Sequence, residues 1–214
     1  MIFLYEGKPS IFIHIPKTGG NTIQKTLFDK NLSLDEMIVN EHQDGIDRFE
    51  IRGKYTQQKH MKLRDYYKNQ ELHNCLIFAC VRKPLNRLVS LYFSPHRYAK
   101  KDPSTKKFVF PKTIEFDIDK FKNLVNRTPS CLQMLSFPPL NGFIPIDLKI
   151  IRTENLNKDC EKIMRITLNQ SRNISPFSKE AKIARENPKV KSIISYEEVL
   201  QNILSLQNYL KKIV

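Results

Sequence analysis

The sequence lacks tryptophan altogether and contains only 6 glycines and 4 cysteines in 214 residues. Because the cysteines form neither a C-x-x-C pair nor a cluster with histidine, a disulfide scaffold and a cysteine-ligated metal are both disfavoured. No apolar run reaches the ~18 residues that a membrane span requires. The first residues of the chain also lack the pattern of a secretory signal. These absences predict a cytoplasmic protein with no membrane segment and no metal.

Acidic residues are scarce relative to basic ones: 36 Lys and Arg against 22 Asp and Glu give a formal net charge of +14. Such a surface attracts anions, although a solvated lysine-rich surface has the same composition. Zinc-ligand spacing, an RNP aromatic signature and basic helical repeats are missing, so we do not expect a nucleic-acid partner. The length predicts one domain, 1–214, large enough for a substantial core. It gives no information on oligomeric state.

The most informative segment is 11–22, IFIHIPKTGGNT. Its apolar β-branched run at 11–15 predicts a buried strand, and a helical pattern follows the turn KTGG. Two adjacent glycines indicate a close approach of the backbone to a neighbour. Backbone N–H groups at a helix N-terminus bind anions, while Lys17 would add charge and the hydroxyls of Thr18 and Thr22 would add donors. We expect a phosphate-like ligand; an ordinary βα turn with a surface lysine is the alternative.

A second segment, LIFACVRKPLNRLVSLYF, has the same strand–turn–helix organisation. The apolar run predicts a strand over 76–82 that is buried on both faces. Apolar residues at helical spacing predict a helix over 84–93, with Pro84 near its start. Arg82 would then lie at the carboxyl end of the strand and Ser90 two turns into the helix. Both side chains could face the crevice in which open α/β sheets bind ligands.

The two segments together resemble the cofactor motifs of sulfotransferases. PKTGG resembles their 5′-phosphosulfate loop, here 15–22, and differs from a Walker A loop because the lysine precedes the glycines. RKPLNRLVSLY resembles their 3′-phosphate motif R-D-P-x-x-R-L-V-S-x-Y, here within 81–92. The resemblance implies that the donor is 3′-phosphoadenosine 5′-phosphosulfate (PAPS), that the product is 3′,5′-diphosphoadenosine (PAP) and that no metal is needed. The cofactor-binding residues that it implies are Pro16, Lys17, Thr18, Gly19, Gly20, Asn21, Thr22, Arg82 and Ser90.

The residues of both motifs most resemble those of the carbohydrate branch of the family, which includes heparan and chondroitin 2-O-sulfotransferases and many bacterial relatives. Arg87 matches the internal arginine of the 3′-phosphate motif, whereas Lys83 replaces its aspartate and removes a local ion pair. The branch places a catalytic histidine similarly to His60, which would be the general base, with Lys17 stabilising the leaving oxygen. A surface histidine at a helix start is the alternative for His60. Glutamine and acidic residues of the family correspond to Gln133 and Glu154.

The acceptor is less well defined by the sequence. We expect a carbohydrate or a small hydroxylated metabolite, with acidic glycans favoured by the net charge. Candidate acceptor-contacting residues are His42, His96, Arg97 and Gln133; His42, near Glu41 and Asp44, is also the second candidate base. His14 is expected to be packed in the core, and 94–115 to form a mobile loop on the acceptor side. A kinase-like phosphotransferase and a non-catalytic binder of nucleotides or polyanions remain as alternatives.

Strands that alternate with helices predict an α/β fold: a P-loop-like, doubly wound parallel sheet flanked by helices. The expected strands are 11–15, 76–82 and 148–153, and 41–59 is read as a polar stretch. The expected helices are 22–30, 33–40, 61–70, 84–93, 117–126, 129–136, 155–168, 178–187 and 195–212.

Overall fold

The computed structural model describes residues 1–39, 49–105, 108–135, 148–169 and 177–193. The strands in these ranges are β1 (Ile2–Tyr5), β2 (Lys8–Ile13), β3 (Glu36–Ile38), β4 (Glu50–Arg52), β5 (Leu76–Val81), β6 (Lys100–Lys101), β7 (Phe108–Val109) and β8 (Leu148–Arg152). The helices are α1 (Gly20–Asp29), α2 (Leu63–Tyr66), α3 (Pro84–Tyr92), α4 (Pro95–Tyr98), α5 (Ile118–Arg127), α6 (Cys131–Leu135), α7 (Leu156–Asp159), α8 (Ser178–Glu186) and α9 (Pro188–Ile193).

The central sheet has the order β1-β2-β5-β8. β2, β5 and β8 are parallel, and β1 pairs with β2 in the antiparallel direction. The fold is therefore α/β, as predicted, but the sheet is mixed and the prediction of an entirely parallel sheet is wrong at this edge. The hairpin forms because Glu6 and Gly7 both have positive φ, +50° and +74°, the twist that a two-residue connection requires.

The sheet buries apolar side chains on both of its faces. Along β2 and β5 alternate residues enter different clusters, because successive side chains of a strand point to opposite faces. Ile11, Ile13, Ile77 and Ala79 pack on one face, and Phe12, Phe78 and Cys80 pack on the other. A third cluster joins α3, α5 and α8. Within the described ranges, no helix combines the length and apolarity needed to cross a bilayer.

Several sequence-based boundaries were wrong. The helix expected at 33–40 is instead strand β3, which pairs with β4 inside the stretch taken as merely polar. The helix expected at 61–70 is regular only over Leu63–Tyr66. The one expected at 155–168 passes into a π-helical turn and ends at Arg165, whose φ is +56°.

The segment expected to be an acceptor-side loop contains α4 and the β6–β7 hairpin. The helix expected at 195–212 lies outside the described residues.

Candidate functional site

Three chain segments meet where the parallel strands end. β2 leads into the turn before α1, β5 ends directly before Arg82, and β8 ends directly before Thr153. Because β2 and β8 both pair with β5 in parallel, these three ends lie at the same edge of the sheet. This edge is where open α/β sheets bind ligands.

The turn between β2 and α1 has an unusual backbone conformation. Lys17 and Gly19 have φ angles of +67° and +87°. Gly19 is the N-cap residue of α1; no side chain caps this end, and the first turn contains no acidic residue. The positive end of the helix dipole is therefore not neutralised by a side chain of the helix itself.

The two glycines of the turn are required for different reasons. Gly19 adopts the left-handed conformation that glycine tolerates best, and an added Cβ would lie 3.1 Å from a methyl group of Leu156. At Gly20 an added Cβ would lie 2.2 Å from Cδ2 of His14, far closer than two unbonded carbon atoms can approach. The glycine pair predicted that the backbone closely approaches a neighbour. At Gly20 that neighbour is the side chain of His14.

Side chains from two neighbouring strand ends hold the carbonyl groups of this turn. The carbonyl oxygen of Thr18 accepts hydrogen bonds from Sγ of Cys80 (2.6 Å) and from Oγ1 of Thr153 (2.6 Å). The hydroxyl of Thr18 is buried and donates to the carbonyl oxygen of Ile15 at 2.8 Å. This hydroxyl was predicted from the sequence to be a donor to the ligand. It is instead engaged within the turn, so Thr18 would contact a ligand through its backbone.

Two arginines bind the carbonyl groups of Pro16 and Lys17 in the same turn. Nε of Arg87 donates to the carbonyl of Pro16 (3.0 Å), and its Nη1 donates to the carbonyl of Pro129 (2.9 Å). Nη1 of Arg82 donates to the carbonyl of Lys17 at 3.3 Å. Arg87 is only 3% exposed. Arg87 therefore holds two backbone segments together beneath the turn and is not accessible to a ligand.

The hydrogen bonds to these carbonyls determine where the turn's N–H groups point. In a planar trans peptide the N–H of one residue points opposite to the carbonyl of the residue before it. With the carbonyls of Pro16, Lys17 and Thr18 bound to the protein, the N–H groups of Lys17, Thr18 and Gly19 point away from those contacts. Successive N–H groups in such a turn form an anion-binding concavity.

The start of α3 lies at the same edge. Arg82 and Ser90 are both half-buried. The backbone N–H of Lys83, the N-cap residue of α3, donates to Oε1 of Glu154 at 2.9 Å. An acidic side chain is therefore present at this helix start although the motif itself carries lysine where aspartate is usual, and it comes from the segment after β8.

A hydrogen bond fixes the tautomer of His60. Its Nδ1 lies 3.0 Å from the carbonyl oxygen of His14. A carbonyl can only accept, so Nδ1 carries the proton and Nε2 keeps its lone pair in the neutral ring. His60 is an exposed residue. Even so, desolvation is the main cause that lowers the pKa of His60 below 6.5; the bond to His14 opposes this, and the ammonium of Lys59 adds to it.

The two histidines pack against each other. Their ring centroids are 4.5 Å apart, and Nδ1 of His14 lies 2.7 Å from Oε1 of Gln24. His14 is 3% exposed. Burial, followed by the charges of His60 and Lys59, lowers its pKa well below 6.5. His14 therefore supports the turn as a neutral core residue, in agreement with the packed position predicted for it.

The neighbouring cation is itself held in place. Lys59 is 6% exposed, its Nζ lies 3.5 Å from the centroid of the Phe49 ring and it donates to the Phe49 carbonyl at 2.9 Å. This arrangement fixes a positive charge beside both histidines. It favours their neutral forms.

The remaining predicted site residues are more dispersed. Asn21 and Thr22 lie half-buried in the first turn of α1. His96 and Arg97 are exposed on α4. Gln133 forms reciprocal bonds with Ser130 at the start of α6, which gives it a local capping role. His42 lies outside the described residues, and no group of three metal-ligating side chains occurs in the described part.

Sequence reasoning missed two residues that shape the turn. Cys80 was included in the strand predicted over 76–82 without a role of its own, and Thr153 was not singled out. Their position at the carboxyl ends of neighbouring parallel strands was the available signal. Their bond to the Thr18 carbonyl depends on tertiary pairing, which no local pattern reveals.

Comparisons with known proteins identify the family of the chain. A family model described as the sulfotransferase family matches residues 3–212. No curated protein and no solved structure matches the chain significantly. The family match covers both motif segments as well as the helices packed behind them. The chain belongs to the sulfotransferase family.

Proposed function

We propose that the protein transfers the sulfuryl group of PAPS to a hydroxyl group of a carbohydrate or a small hydroxylated metabolite. The observation that carries the proposal is the turn 15–19, whose carbonyl groups accept hydrogen bonds from the protein, so that its N–H groups point in the opposite direction. The turn leads directly into the uncapped start of α1. Such a cradle fits a phosphosulfate, and no metal is needed to neutralise it.

The donor fits the residues at the sheet edge. The N–H groups of the turn and the side chain of Lys17 would hold the 5′-phosphosulfate. Arg82 and Ser90, at the start and in the second turn of α3, would hold the 3′-phosphate. The donor supplies a sulfur atom open to in-line attack and a phosphate oxygen as leaving group.

Residues of the chain would accept the proton of the acceptor hydroxyl and stabilise the negative charge that develops on the leaving group. His60, with Nδ1 bonded to the His14 carbonyl, presents Nε2 as a base for the acceptor hydroxyl. As the new oxygen–sulfur bond forms, the proton passes to Nε2 and the bond from sulfur to the phosphate oxygen breaks. Lys17 and the turn's N–H groups would stabilise the negative charge that develops on that leaving oxygen.

The acceptor side favours an anionic, ring-bearing molecule. α4 exposes His96 and Arg97, and the hairpin after it exposes the basic strand Lys100–Lys101. Phe108 and Phe110, on or beside the second hairpin strand, are each 37% exposed. Basic groups together with aromatic faces suit an acidic sugar, as does the net charge of +14.

An assay with isotopically labelled PAPS tests the proposal. We expect labelled product and stoichiometric PAP from at least one member of a panel of acidic glycans, neutral glycans and small alcohols. Lys17→Ala should lower turnover by roughly 10²-fold or more, because it removes charge stabilisation at the leaving oxygen. PAP release that stays at the buffer rate with every acceptor would contradict the proposed activity.

A further inference from the structure

Helix α8 runs antiparallel to α3. The ring of Phe177, which directly precedes α8, lies 5.9 Å from the ring of Tyr98, and Tyr98 lies 6.3 Å from Tyr92 at the end of α3. The beginning of α8 is thus next to the end of α3. Ala181 and Ala184 of α8 enter the same buried cluster as the apolar face of α3. The last turn of α8 consequently lies towards the start of α3, where Arg82 is found.

Arg185 occupies that last turn. It lies one helical turn beyond Ala181 and so on the face that packs against α3. Its side chain is half-buried. Within the part of the chain that the structure describes, Nε of Arg185 is a buried donor with no hydrogen-bond partner. A buried donor that lacks a partner is unfavourable, so this atom indicates a missing acceptor.

Two positively charged residues, Arg82 and Arg185, lie near the start of α3. Arg185 lies in the last turn of α8, towards the start of α3 where Arg82 is found. In keeping with this packing, burial lowers the pKa of Arg82 and the positive charge of Arg185 lowers it further. Glu154 opposes this effect, but Oε1 of its carboxylate already accepts the N–H of Lys83. Two neighbouring cations at the start of a helix are unfavourable unless an anion lies between them.

We propose that Arg185 and Arg82 bind one phosphate group between them, the 3′-phosphate of the donor, so that α8 completes the nucleotide site. The inference rests on the proposed function and extends it to a helix that contains no recognised motif. Arginine suits the task because its guanidinium can donate several hydrogen bonds to phosphate oxygens. A nucleotide without a 3′-phosphate leaves α8 without this contact.

Titration calorimetry with PAP and AMP tests the inference on wild type, Arg185→Gln and Lys182→Gln. Lys182 is the matched control because it is exposed on the same helix and its substitution removes the same charge. Arg185→Gln should weaken PAP by about 10- to 150-fold, the range for one charge-assisted hydrogen bond. AMP should change less than about threefold. Lys182→Gln should leave the preference for PAP over AMP at its wild-type value.

A second measurement needs no variant. Amide hydrogen exchange of the wild-type protein should show that saturating PAP protects α8 and that saturating AMP does not. Equal protection by both nucleotides, or an unchanged preference for PAP in Arg185→Gln, would overturn the inference while leaving the proposed function intact. Failure of the wild-type protein to bind PAP at all would instead contradict the proposed function.

Discussion

Replacing His60 is the sharpest test of the catalytic arrangement. Its Nδ1 is bonded to the His14 carbonyl, so Nε2 is the ring atom left to accept a proton. General base catalysis contributes typically about 10²- to 10⁴-fold, and His60→Ala should lower kcat by that factor. PAP affinity should stay nearly unchanged, because the ring is not part of the phosphate cradle.

The pH profile gives an independent measure of the same residue. Since the pKa of His60 is lowered from 6.5, the acid limb of kcat should have its midpoint below pH 6.5, with the neutral, active base dominating above it. Lys59→Met removes a neighbouring cation and should move this midpoint upwards, towards the ordinary histidine value. Glu50 lies near enough to oppose Lys59, so Glu50→Gln should move the midpoint in the other direction.

Steady-state rates with labelled PAPS, measured from pH 5 to 9 on the wild type and each variant, provide the data. Circular dichroism and PAP titration of His60→Ala would establish that the variant is folded and binds product. Near-normal turnover of His60→Ala with a good acceptor would refute the assignment. His42, the second candidate from the sequence, would then be the base to test.

Three further predictions concern the turn and its support. Thr153→Val should lower the melting temperature by about 2–8 °C, because about 1–2 kcal/mol is lost when the carbonyl of Thr18 loses a donor; Thr153→Ser, which keeps the hydroxyl, should melt within about 2 °C of the wild type. Arg87→Lys keeps the charge but not both hydrogen bonds, so calorimetry should show PAP affinity reduced about tenfold or more. Because the pKa of His14 is lowered in the folded protein, below about pH 6.5 the unfolded chain binds a proton at this residue that the folded chain does not bind. The free energy of unfolding in urea should therefore decrease as the pH is lowered, by up to about 1.4 kcal/mol per pH unit, and it should decrease less steeply in His14→Asn.

The parts of the fold that the sequence predicted best are local strand–turn–helix units. β5 and α3 were expected at 76–82 and 84–93 and are observed at Leu76–Val81 and Pro84–Tyr92. Their continuous apolar run and helical periodicity are strong signals, and proline marks the helix start.

The parts that were missed depend on partners distant in the chain. β1 is a short strand whose hairpin turn, Glu6-Gly7, was not recognised, and β3 exists because β4 pairs with it. The same holds at the site: the motif positions were evident in the sequence, whereas the bond from Thr153 to the Thr18 carbonyl joins residues 135 positions apart. The approach of α8 to Arg82 is equally invisible to periodicity.

The most direct test of the central claim is the binding of PAP and AMP in the absence of magnesium. At a hundredfold excess over its dissociation constant, PAP should stabilise the wild-type protein by about 2.7 kcal/mol, a melting shift of roughly 5–10 °C. Arg82→Ala should weaken PAP roughly 10- to 150-fold and AMP far less, whereas Lys83→Ala, one residue away, should have little effect on either. An unshifted melting curve at millimolar PAP, or an equal loss of both nucleotides in Arg82→Ala, would contradict a PAPS site whose 3′-phosphate is read by Arg82.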